Sequence, residues 1–106
     1  MADATRDYSE SAVTLLRANL GYYGSSIPDD LLAYLKNLLT VASRNLARAG
    51  IQLVPGQLYD DQLQVMYAAW LYRKASEGSA MPLMLVQEIR DRQVEQALTA
   101  DEEASA

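Results

Sequence analysis

The chain contains no histidine and no cysteine. Without histidine there are no imidazole general bases, no Ser–His–Asp triads and no histidine metal ligands. Without cysteine there are no disulfides, no thiolate metal sites and no thiol nucleophile. A carboxylate-only magnesium or calcium site stays formally open, but no EF-hand spacing of acids is present. The sequence also lacks a glycine-rich phosphate loop, an internal repeat and a low-complexity tract. No segment approaches 18 apolar residues, so no membrane span is predicted. The N-terminus has no basic segment leading into an apolar run, so no signal peptide is expected. Together these absences predict a soluble, intracellular protein with no cofactor, metal or catalytic site.

What is present suits one small domain. A chain of 106 residues, half of them apolar, supports a single modest core, predicted as one domain over 1–106. The net charge is −5, which gives no long-range attraction to nucleic acid or anionic lipid. The charge is segregated, however. Residues 1–35 sum to −3, residues 36–74 to +3 and residues 75–106 to −5. A basic middle between acidic ends favours contact between unlike surfaces, within one chain or between copies.

Hydrophobic periodicity predicts four helices and an all-α small bundle. Residues 1–6 read as a flexible N-terminus. The first helix spans about 8–20, with Ala12, Val13, Leu16 and Leu20 on one face and Gly21 as a stop. The second is long, with Pro28 at its first position, Asp29 and Asp30 in its first turn and Gly50 beyond its end. Its broad stripe of Leu31, Leu32, Leu35, Leu38, Leu39, Ala42, Leu46 and Ala49 is a core face. Residues 51–58 read as a connector that lids the core, the alternative being a short extended piece that pairs with a partner strand. The third helix runs from about Tyr59 to Ser76 and stops at Gly78. The fourth runs from about Met81-Pro82 to Leu98, and residues 99–106 read as a solvated acidic tail.

Within the third helix, the stretch from Asp60 to Lys74 holds the only tryptophan and two of the seven tyrosines. On a helical wheel Leu63, Met66, Tyr67, Trp70 and Leu71 share a wide sector, so these join Leu31, Leu35, Leu38, Leu39 and Leu46 as predicted core. Lys74 falls at the end of that sector, where its stem can lie on apolar surface. Val65 and Tyr72 fall near the opposite side. A helix that is apolar nearly all round is a buried helix, and three others are few to enclose it, so the remaining contacts fall to the termini or to another subunit. Two readings follow: Trp70 and Tyr67 are core with Tyr72 half exposed and nothing more, or Val65 and Tyr72 contact another subunit. The fourth helix supports the second: Leu83, Met84, Leu85 and Val86 are consecutive and cannot share one stripe, and the stretch after Ile89 reads as weakly held by its own subunit.

The residues TLLRANLG, DDLLAYLKNLLTVASRNLARAGI, YDDQLQVMYAAWLYRKASEG and MPLMLVQEIRDRQV occur in this order. Over about residues 10–98 the chain resembles the head–tail connector, or adaptor, proteins of tailed bacteriophages. The resemblance implies an all-helical, non-catalytic subunit of a ring, typically of twelve copies. Such a ring lies in the virion neck between the portal protein and a tail or stopper protein, after assembly in the host cytoplasm. DNA passes through it without sequence-specific binding. The last helix of such proteins can extend along a neighbour. Combined with the wheel, this assigns the subunit interface to Val65, Tyr72, Arg73, Met84, Ile89, Arg90 and Val94. The net acidity is compatible with that role, since acidic walls repel phosphate and let DNA slide.

Other functions have less in the sequence to carry them. A DNA reader needs a basic surface, and the only candidate is Lys36, Arg44 and Arg48 on the polar side of the second helix. Those cations suit a solvated face, or pairing with Glu88, Asp91 or Glu95 of another copy. For catalysis, the acid pairs Asp29-Asp30 and Asp60-Asp61 stand at helix starts, where capping accounts for them. The alternative is a soluble helical regulator whose groove, lined by Leu31, Leu35 and Trp70, binds a partner helix.

Overall fold

The computed structural model describes residues 7–105 except 23, 25 and 79, and omits the side chains of 75–77 and 100–105. Four helices follow one another: α1 (Glu10–Asn19), α2 (Asp29–Arg48), α3 (Leu58–Glu77) and α4 (Leu83–Ser105). The protein is an all-α four-helix bundle, with no strand among the described residues.

Local chemistry sets the boundaries. Ser9 caps α1, its Oγ accepting from the Ala12 N–H at 3.1 Å. Pro28 occupies the cap of α2 rather than the first helical position, with ψ at 147°. Its carbonyl accepts from Leu32 at 3.0 Å, so the ring precedes the helix by one residue without forfeiting a bond. At the end of α2, Gly50 takes φ of 89°. The Gly50 and Ile51 N–H groups then return to Ala47 and Leu46 at 3.0 and 2.9 Å. This is a Schellman ending, with Ile51 packed beside Leu46 as that motif requires. The predicted stop therefore also delivers the connector's main apolar residue. Ile51 is fully buried, so the segment after α2 does lid the core.

The interior has two parts, both touching α3. The larger joins α1, α2 and one side of α3: Ala12, Val13, Leu16, Leu35, Leu38, Leu39, Ala42, Val65, Ala68 and Ala69. Leu31 packs at its margin, half-buried. The smaller comprises Leu46, Ile51, Leu63 and Leu85, with Met66, Tyr67, Trp70 and Ile89 packed against it. Trp70 meets the edge of Tyr67 at 5.5 Å between centroids, and the Lys74 ammonium sits 4.9 Å above the Trp70 ring. The lysine thus covers the indole with its stem and charge, as its wheel position predicts.

Two expectations fail here. Val65 is only 5% exposed, enclosed by α1 and α2 of its own chain, so it has no surface to offer another subunit. The Val65 side of α3 is enclosed by α1 and α2, where the small Ala12, Ala42, Ala68 and Ala69 share its cluster. The second failure is the acidic tail. Helix α4 continues to Ser105, so residues 99–105 are helical; the six carboxylates on α4 do not stop it. The expectation for residues 1–6 lies outside the described residues, as does Ala106.

Helix α4 lies along one side of the α1–α3 body, packing chiefly on α3. The radius of gyration is 14.7 Å, above the roughly 13 Å of a compact chain of this length.

Candidate functional site

Two features outside the main core bear on function: a buried polar clasp at the start of α3 and the outer face of α4.

The clasp begins with Asp60 and Asp61, which are 1% and 2% exposed. Neither caps α3. That role falls to Gln57, whose Oε1 accepts from the Asp60 N–H at 3.0 Å. The two carboxylates are thereby released for longer-range bonds. Asp61 accepts from the Ser9 hydroxyl at 2.8 Å and from the Gly56 N–H at 3.0 Å. It ties the start of α1 and the connector to α3. Asp60 accepts from the Val54 N–H at 2.9 Å, and receives Arg92 in a fork, Nε at 2.9 Å and Nη2 at 3.1 Å. A bidentate guanidinium supplies both charge and fixed geometry to an acid that has left water. Nearby, the buried Gln64 amide donates to the carbonyls of Asp7 at 2.8 Å and Leu39 at 2.9 Å.

Beyond Arg92 the clasp continues along α4. Gln96 and Gln52 exchange two bonds of 2.8 Å, side-chain amide against backbone. Gln93 donates to the Ala49 carbonyl at 2.7 Å. Thus the stretch after Ile89, expected to be weakly held, is fastened to its own chain by hydrogen bonds. The sequence did carry a signal for this. Leu85, Ile89, Arg92 and Gln96 follow at spacings of four, three and four, one continuous face. That face turns polar halfway because the surface it meets turns polar.

The opposite face of α4 is open. Leu83 and Met84 are 71% and 70% exposed, and Val94 and Leu98 are 59% and 58%. Arg90 is exposed beside them. Glu88, Asp91 and Glu95, all exposed, form an adjacent stripe. They and Tyr59 border a cleft of about 360 Å³ between α3 and α4.

The predicted interface residues therefore separate. Met84, Arg90 and Val94 lie together on this open face. Val65 is interior, and Ile89 packs on the smaller core. Tyr72 and Arg73 face α1 and α2 of their own chain. The Tyr72 and Tyr22 hydroxyls are 3.0 Å apart, and the Tyr72 ring lies 6.2 Å from Tyr34. Arg73 donates to the Asn19 carbonyl at 3.3 Å and side chain at 3.0 Å. The bond to Tyr72, helped by partial burial, raises the Tyr22 phenol above its ordinary value of 10.0.

No cluster of three or more potential metal ligands occurs among the described residues, and none of their helices is long and apolar enough to cross a membrane. Compared with known proteins, the chain matches no family model, no curated protein and no solved structure.

Proposed function

We propose that this protein is a non-catalytic structural adaptor that self-assembles through the outer face of α4. We further propose that it forms an oligomeric ring extending the DNA channel between portal and tail in a phage neck. The observation that supports assembly is the open apolar face of α4, with Leu83, Met84, Val94 and Leu98 each more than half exposed. Four large apolar side chains along one helix leave water only against another surface. The ring and its setting rest on the resemblance in helix order and sequence noted above. They no longer draw on Val65 or Tyr72, which the chain's own fold uses.

The non-catalytic reading draws on the fate of the carboxylates. The pair best placed for acid–base chemistry, Asp60 and Asp61, is spent on an arginine fork, backbone amides and a serine. A general acid or base needs a free geometry toward a substrate proton, and these oxygens have none.

Electron microscopy of the purified chain, alone and mixed with a portal protein, tests the proposal. Closed rings of uniform size are the expected result. Dispersed single subunits under both conditions would overturn it in favour of a monomeric helical binding module.

A further inference from the structure

The open face of α4 is flanked by charge of one sign, and the opposite sign is displayed elsewhere on the same molecule. Helix α4 carries Glu88, Asp91 and Glu95 on one stripe, with Arg90 as its only exposed arginine. Helix α2 from Leu31 onward has no acidic residue and carries Lys36, Arg44 and Arg48. Arg44 and Arg48 are exposed on its outward side, where Tyr34 is also 41% exposed. Among the described residues these charges are little paired. Arg44 meets Asp7 at 3.4 Å at an exposed site, and Glu95 meets Arg92 at 3.4 Å. Among the described residues Glu88, Asp91, Lys36 and Arg48 have no ion pair.

We infer that the occupant of the α4 face is a second copy of this chain, presenting the basic outward side of its α2. The inference rests on the assembly reading above and adds its direction. A two-fold contact of α4 with α4 would set Glu88, Asp91 and Glu95 against their own symmetry mates, and like charges across an interface are strongly unfavourable. Contact of α4 with the next copy's α2 sets acids against cations. It brings the apolar Leu83, Met84 and Val94 toward Tyr34, Ala33 and Ala47. The two helices are matched in length, at 23 and 20 residues. Because each copy then shows one face and receives on another, the contact is head-to-tail, and it propagates until the rotation closes.

The test is a charge swap read by sedimentation. One variant carries Glu88→Arg with Asp91→Arg; the other carries Arg44→Glu with Arg48→Glu. Neither pair touches the buried cores, and circular dichroism checks that helix content is kept. Wild-type chain is expected to associate, more weakly by about tenfold or more on going from about 50 mM to about 500 mM salt. Each variant alone is expected to associate about a hundredfold more weakly than wild type. An equal mixture is expected to associate again, since each variant's α4 then meets the other's α2. Wild-type association that survives in both separate variants would overturn the α4-to-α2 pairing while leaving assembly standing. Loss in both variants without recovery in the mixture would overturn it too. A wild type that stays monomeric at every concentration and salt would remove the assembly reading along with this one.

Discussion

The two halves of α4 are attached to the body by different physics. The first turns are held by burial: Leu85 is 1% exposed, and Ile89 packs beside Leu46, Ile51 and Leu63. The later turns are held by directed bonds, the Arg92 fork on Asp60 and the amides of Gln93 and Gln96. Apolar contact gives adhesion with loose geometry, whereas a bidentate pair fixes register. The same helix is thus glued at its start and keyed along its length. The consequence is a defined orientation for the open face opposite, which an assembly contact needs and a merely collapsed helix would not supply.

Substitutions on the two halves should have different signatures. Leu85→Ala is expected to have the largest effect, lowering global stability by about 3 kcal/mol through lost burial and the residual cavity. Urea unfolding measures it, and the loss should appear equally in every probe. Arg92→Met leaves the Asp60 carboxylate buried with only the Val54 N–H among its present partners. A cost of about 2 kcal/mol is expected, confined mainly to α4. Hydrogen exchange should quicken from residue 92 onward while the interiors of α1 and α2 keep their protection. If α1 and α2 lose protection in equal measure, the distinction between the halves of α4 is wrong.

Gln96→Ala should act in the same direction with less force, about 0.5–1 kcal/mol, because its partners are exposed and water replaces the lost bonds. The same exchange experiment would show it over the last turns of α4. The smallest effect is expected at the far end of α3. The Tyr22 phenol is raised, so its hydrogen-bonded neutral form is favoured by folding. That contribution is complete below the ordinary value of 10.0 and is lost as pH rises through the higher folded value. Tyr72→Phe removes the hydroxyl partner and should let Tyr22 ionise nearer its ordinary range, as ultraviolet titration against wild type would reveal. An unchanged titration would mean that the Tyr22–Tyr72 bond does not hold in solution.

The parts of this fold that follow from apolar period and stop signals were legible in the sequence. The α2 stripe, the Gly50 and Gly78 endings and the core roles of Leu35, Leu39, Leu46 and Leu63 all rest on local rules. The interior place of Val65 does not follow from a wheel, which shows only that a helix has two apolar sides. Whether small residues such as Ala12 and Ala68 let neighbours close on both depends on tertiary distance. Local rules make Asp60 and Asp61 caps, the usual role of acids at a helix start. Their actual partners, Ser9 and Arg92, stand 52 and 32 residues away in sequence, beyond any local rule. The extent of α4 was missed for a related reason: acids near a helix end are only mildly unfavourable, too weak a signal to end this one.

Sedimentation equilibrium on wild type beside a Met84→Asp, Val94→Asp variant tests the open face of α4 most directly. Both side chains lie outside the cores, so each protein should keep its helix content. The expected result is a mass that rises with concentration for wild type and stays at one chain for the variant. Equal masses for the two at every concentration would contradict the claim that this face joins one copy to the next.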